Sequence, residues 1–499
     1  MQPSDYLAHD ALGLAELVRT GEVHPRELVE EAIRRIEQDN PRLNAVIHRM
    51  YDSARAAAER PRPDDAGPFW GVPFLAKDLV STWQGEPQAS GTRLMRGWVA
   101  PSDTEMAARY RKSGVIVVGK TNTPELGILP VTEPVAFGPT RNPWDTSRTP
   151  GGSSGGSGAA VAAGLVPIAG GGDGGGSIRI PSSCCGLFGL KPTRARTPIG
   201  PDVAEAWQGC AIEHVLVRSV RDSAAMLDAV HGPDPGAPYV APPPARPFLD
   251  EVGAAPGRLR IAYTSRALIP AEVDPACVRA VEDAAALLRD LGHDVVEDHP
   301  EFDAAQLSID FVHMLVGETA ADVAELERVI GRKAHVGDLE KETLVMARLG
   351  AALSASEFAQ ATRRVRALGR RLAPFFARYD LLLTPTLAQA PVAIGALASH
   401  GAEAAMLEVA QRLPVGGLLH KLGAIQKIAA NAWGFAPFTA PFNATGQPAC
   451  NLPLYWTDDG LPVGVQLVGR FGDEATLLRV ASQAEVARPW RDRRPPGIA

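Results

Sequence analysis

The chain has 499 residues and a net charge of −7, with 45% hydrophobic and 21% charged residues. That balance suits a soluble globular protein able to bury a substantial core. The acidic excess, with no basic stripe that could neutralise phosphates, argues against nucleic acid as a partner. The most basic stretch, residues 488–494, reads as a solvated end rather than a binding arm. No apolar run approaches the ~18 residues needed to cross a bilayer. The opening MQPSDYLAHD lacks the basic start and apolar centre of a secretory signal. Five cysteines are present, Cys184, Cys185, Cys210, Cys277 and Cys450. An odd number without a CxxC pair suits neither a disulfide framework nor a zinc site. They read as reduced thiols in a cytoplasmic protein with no metal centre.

From residue 10 to 47 the apolar positions Leu12, Leu14, Leu17, Val18, Leu28, Val29, Ala32, Ile33 and Ile36 recur at helical spacing. This predicts two amphipathic helices joined near His24-Pro25. Strand-like and helix-like segments then alternate. Short apolar or β-branched runs fall at residues 72–76, 115–118, 259–263, 295–296, 381–383 and 462–468, with a helix expected over 275–291. Alternation of this kind implies an α/β sheet covered by helices. The Pro-rich stretch 241–247 is the best candidate for a linker, but apolar segments resume on both sides. One large domain over 1–499 is therefore expected. It would comprise N-terminal helices in 1–60, a core over 65–235 and 437–485, and a helical elaboration over about 300–436.

Residues 151–177 read GGSSGGSGAAVAAGLVPIAGGGDGGGS, and 12 of these 27 are glycine. A flexible linker would have that composition. It would have no use for the apolar insert at 159–168, nor run directly into SIRIPSSCCGLFGLKPT. Glycines packed around serines instead let the backbone turn its N–H groups toward one point. Acyl transfer needs such a point: an activated nucleophile, a base within reach, and backbone donors aimed at the developing oxyanion.

Two pattern matches mislead. Residues 114–121, GVIVVGKT, fit the phosphate-loop pattern, but the positions that should form a turn are a β-branched strand. Residues 151–155, GGSSG, fit the nucleophile elbow of Ser-His-Asp esterases with Ser153 at its centre. That elbow must follow a strand, whereas NPWDTSRTP reads as a loop. His214, His231, His313 and His420 follow, none in a context that marks a triad base.

The stretch GGSSGGSG, GGDGGGSIRIP, CGLFGLKPT resembles the amidase signature family. So do the flanking segments GVPFLAKD (71–78), GKTNTPELG (119–127), RNPWD (141–145) and APFNATGQPACNLP (440–453). The likeness covers nearly the whole chain. It implies a mixed, twisted β-sheet covered by helices on both faces, and a Ser–cis-Ser–Lys triad that needs no cofactor. On the matching positions Ser177 is the nucleophile, Ser153 the bridging serine after a cis peptide, and Lys77 the base. The amides of Gly174, Gly175, Gly176 and Ser177 form the oxyanion hole. A lysine acts as a base only when neutral, so its pKa must fall from about 10.4 by ~3 units, or about 4 kcal/mol, which burial can supply. Phe74, Leu75 and Ala76 beside Lys77 favour such burial.

The resemblance also implies that Asp173 and Arg179 order the loop, and that Ile128 and Leu129 border the acyl pocket. Gly172 departs from the serine or threonine common in the family, a change expected either to open the pocket or to alter a substrate contact there. Phe311, Met314, Met406 and Trp433 either line an apolar cavity or belong to the core. Within the family the chain is similar to bacterial enzymes of the 6-aminohexanoate cyclic dimer hydrolase, aryl acylamidase and urethanase-like type. The implied activity is cleavage of amide bonds of small, apolar or aryl substrates through an acyl-enzyme, with esters and carbamates as further substrates, by a monomer or homodimer. The alternatives are an amidotransferase A-type subunit working with partner subunits, and a Ser-His-Asp esterase using Ser153.

Overall fold

The computed structural model describes residues 3–413 and 416–497, and gathers the short apolar runs into one sheet of eleven strands among them. In chain order these are β1 (Val46–Arg49), β2 (Pro73–Lys77), β3 (Ile116–Thr121), β4 (Ile168–Asp173), β5 (Phe188–Lys191), β6 (Ile212–Val217), β7 (Arg260–Tyr263), β8 (Asp294–Glu297), β9 (Leu381–Pro385), β10 (Ala449–Trp456) and β11 (Pro462–Val468). Across the sheet they run β1-β3-β2-β4-β6-β5-β10-β11-β9-β7-β8. Two parallel groups, β3-β2-β4 and β9-β7-β8, flank an antiparallel centre, so the sheet is mixed as expected. Every residue of β2, β3, β6 and β11 is buried. Successive strand side chains face opposite sides, so these strands are covered on both faces.

The N-terminal helices form where the spacing places them. One spans Ala11–Thr20, stopped by Gly21 at φ 78. The next, Pro25–Leu43, starts at His24 with a capping box completed by Glu27, which satisfies donors the first turn leaves open. The expected helix overran its end, since Ile47 lies in β1. Asn44 turns into the left-handed region, and the Asn40 side chain takes the N–H groups of Ala45 and Val46 at 2.8 Å each. Those bonds redirect the chain from helix to strand.

Residues 241–247 do not separate two domains, because β5 before them and β10 after them pair in the one sheet. Phe248 is 1% exposed in the main core, and the Asp228 carboxylate receives the N–H groups of Phe248 and Leu249 at 2.7 and 2.8 Å. The region 300–436 is mostly helical, with long helices Ala304–Ile330 and Ala355–Arg378. It also contributes β9 to the main sheet, between β11 and β7. The phosphate-loop match is β3 itself, and its Lys120 is fully buried with Nζ donating to Gln88 Oε1 at 2.8 Å. Among the described residues no helix is long and apolar enough to cross a membrane.

Candidate active site

Lys77 is the last residue of β2, which puts its side chain at a strand end beneath neighbouring loops. It is 4% exposed, and its Nζ donates to Ser153 Oγ at 2.7 Å, with Gly172 O at 3.5 Å. Burial drives its pKa down to about 7, against the pull of the Glu213 and Asp173 charges. A pKa in that range suits a group that exchanges a proton near neutrality.

Ser153 follows a cis Gly152–Ser153 peptide. Its loop lies against residues 127–132. Thr132 Oγ1 donates to Gly151 O at 2.9 Å and receives Gly155 N–H at 3.2 Å. A Cβ on Gly152 would stand 2.7 Å from the Val131 backbone, so only glycine allows this approach.

Ser177 sits in the turn between β4 and the helix Arg179–Cys185. The turn is organised from behind by Asp173. Its carboxylate accepts from Ile178 N at 3.2 Å, Arg179 N at 3.4 Å, and Arg179 Nε and Nη2 at 2.9 and 2.8 Å. Burial opposes its ionisation, but the Arg179 guanidinium, with Lys191 and Asn443, holds the carboxyl well below the usual carboxylate range. The amides of Ile178 and Arg179 are thus occupied, whereas among the described residues those of Gly174, Gly175, Gly176 and Ser177 donate to no protein acceptor. A Cβ on Gly175 would meet open space, and one on Gly176, at φ 138, would stand 2.4 Å from Thr439 Oγ1. Thr439 Oγ1 donates to Gly175 O at 2.6 Å and fixes the turn. The two serine loops are joined by Ser154 N–H to Ser177 O at 3.2 Å. Ser177 is 9% exposed against 2% for Ser153, so Ser177 is the more reachable hydroxyl.

This pairing of a buried lysine with one serine, beside an amide turn carrying a second, spans segments far apart in the chain. A family model described as Amidase matches residues 27–478. The chain belongs to the amidase signature family. It is a hydrolase of carbon–nitrogen bonds, as the motifs led one to expect. A 6-aminohexanoate-cyclic-dimer hydrolase from Paenarthrobacter ureafaciens is 41% identical over 503 residues, covering 98% of this chain and 97% of that protein. A solved 6-aminohexanoate cyclic dimer hydrolase complexed with substrate is 38% identical with a TM-score of 0.88, covering 99% of this chain and 100% of the other. A bacterial aryl acylamidase structure is 26% identical with a TM-score of 0.82, covering 97% and 98%.

The esterase alternative finds no support in this amidase. His214 Nε2 lies 3.0 Å from Ser223 Oγ, and burial lowers its pKa to about 3. His231 packs on Phe248, and His420 pairs with Glu357 at 3.0 Å. His313 Nδ1 lies 2.8 Å from Ile309 O in its own helix. Ser153 Oγ is bonded to Lys77 instead. Ile128 and Leu129 are half-buried just after Gly127, whose Cβ would stand 3.2 Å from Ser153 Oγ. Gly172 lies on β4 between Lys77 and Glu213. Of the four apolar residues considered for the pocket, Phe311 and Met314 are core, and Trp433 packs edge-to-face on Phe311 at 5.4 Å. Met406 is 54% exposed. All five cysteines are buried and free.

Three neighbours of the site had no signal in the sequence. Trp207 covers the turn, its ring 2.8 Å from where a Gly174 Cβ would be. Glu213 and Ser81 form a buried hydrogen-bonded pair. Each sits in an ordinary-looking strand or loop, and the pairing of β6 with β4 is what brings Glu213 beside the lysine.

Proposed function

We propose that this amidase hydrolyses small, apolar or aryl amides, including cyclic ones, through an acyl-enzyme on Ser177. Ser177 Oγ attacks the carbonyl, its proton passes to Ser153 Oγ, and the Ser153 proton passes to Lys77 Nζ. The free amides of residues 174–177 receive the oxyanion, which water-excluded donors stabilise more strongly than solvent does. Collapse breaks the C–N bond, and the proton returns along the same path to the leaving amine. Water then attacks the ester, with the relay working again in the same directions. The observation that carries this reading is the 2.7 Å bond from buried Lys77 Nζ to Ser153 Oγ. The relatives named for a cyclic dimer and for aryl acylamides support amide substrates of these shapes.

Esters and carbamates pass through the same tetrahedral oxyanion, so they are proposed as further substrates. The reading has the enzyme act in the cytoplasm as a monomer or homodimer, without partner subunits. A fluorophosphonate probe should label Ser177, with the adduct located by peptide mass spectrometry. Labelling of Ser153 with Ser177 untouched would reverse the two roles. Purified protein alone should turn over a nitroanilide and its matching nitrophenyl ester, with an aryl carbamate slower because its carbonyl is less electrophilic. Inactivity on all three, relieved only by added amidotransferase subunits and glutamyl-tRNA, would overturn the substrate assignment.

A further inference from the structure

The relay leaves one buried carboxylate beside it without a task. Glu213 lies on β6 directly opposite Gly172 of β4 in the antiparallel register, and is 6% exposed. Residues paired in this way send their side chains to the same face. Gly172 has none, so that face is shared by Glu213 and the tip of Lys77. A Cβ on Gly172 would stand 3.7 Å from Glu213 Cγ and 3.9 Å from Lys77 Nζ. Ser81, on the segment that continues from Lys77, donates its hydroxyl to the Glu213 carboxylate, 2.8 and 2.9 Å from the two oxygens. The hydroxyl and backbone N–H of Ser81 are limited compensation for a buried carboxylate, which needs a cation or a proton as well.

We propose that Glu213 is a positioning residue for the base: its carboxylate, acting across the space that Gly172 leaves open, sets the proton occupancy of Lys77 and hence the pH at which the relay becomes available. This rests on the reading of Lys77 as the base. The other titratable groups facing the pair are Asp173 at the end of β4, already held by Arg179, and the Tyr110 phenol from the helix Glu105–Lys112. Burial and the Glu213 charge keep that phenol protonated, and it donates to His214 O at 3.0 Å. An anionic Glu213 favours the ammonium, while burial favours the amine. Burial raises Glu213 to about 7 and lowers Lys77 to about 7, while the charge of each favours the ionised form of the other. Removing the carboxylate charge leaves burial unopposed by Glu213, and the lysine then loses its proton at lower pH.

The test is the pH profile of kcat/KM on an uncharged anilide, whose acid limb reports the base in the free enzyme. Glu213→Gln should move that limb down by about one pH unit, roughly tenfold in the proton affinity of the base. Ser81→Ala, which makes the Glu213 anion less favourable without deleting it, should move the limb the same way by less. Glu213→Asp, which restores the charge, should bring it back toward wild type. If Glu213→Gln does not fold, Ser81→Ala decides. An acid limb that stays at the wild-type pH in the folded variants, while Lys77→Met is inactive, would overturn the role of Glu213 and leave the base assignment standing. An active Lys77→Met would overturn the base assignment itself.

Discussion

Replacing Lys77 by methionine should lower kcat at least about a thousand-fold while the protein still melts cooperatively. General-base catalysis contributes about 10²–10⁴ in rate, and groups that act as one relay lose most of it together. Methionine keeps much of the lysine stem's volume, so the packing around Phe74, Leu75 and Ala76, all at most 2% exposed, is little disturbed. The amine lost is the one that donates to Ser153 Oγ at 2.7 Å. In the wild type kcat/KM should rise with pH through about 7, because burial holds Lys77 there and only its neutral form accepts a proton. A variant with near-native turnover, or a wild-type profile flat from pH 5 to about 9, would show that Lys77 is not the base.

The largest loss of stability is expected at Arg179, which is fully buried. Its guanidinium binds the Asp173 carboxylate through Nε and Nη2, and also reaches Thr439 O at 3.0 Å, Gln466 Oε1 at 2.6 Å and Asn443 Oδ1 at 2.6 Å. Arg179→Met strands the Asp173 charge in the core. Breaking a buried pair from one side costs about 3–5 kcal/mol. The urea midpoint should fall accordingly, and activity should fall with it, because Asp173 organises the turn that carries Ser177. Adding Asp173→Asn should recover part of the loss, since the two residues act through one network. If Arg179→Met unfolds at the wild-type midpoint, or the two effects simply add, the pair is not what holds the turn.

The likeness of the motifs to a known family made most of the site legible, for reasons that are local. GGDGGGSIRIP carries its function in the backbone, where Gly176 must tolerate φ 138 and the approach of Thr439. FLAK carries it in composition, an apolar strand ending in a lysine. Such features survive in the order of letters because neighbours in the chain create them. Glu213 was illegible for the opposite reason. In IEHVLV it reads as one polar position of a strand, and its meaning depends on β6 lying beside β4 with Gly172 in register. The same holds for the pocket. Phe311 and Met314 look equally suited to a cavity or a core, and packing against Val365, Leu368 and Phe442 makes them core.

The sequence by itself determined the alternation of helix and strand, the start of the second helix at His24-Pro25, and the lysine and two serines singled out for the relay. The helices and strands rest on periodicity and capping, which act over a few residues, and the lysine and serines on the likeness of their motifs to the family. Only the tertiary structure decided the strand order, the insertion of β9 from the helical region into the main sheet, and the charges that surround Lys77. Those depend on which segments pair across long loops, and pairing energy is shared by many strands rather than written in any one of them. The lysine was visible in the sequence. The burial that lowers its pKa to about 7, and the Glu213 carboxylate placed beside it, are properties of the fold.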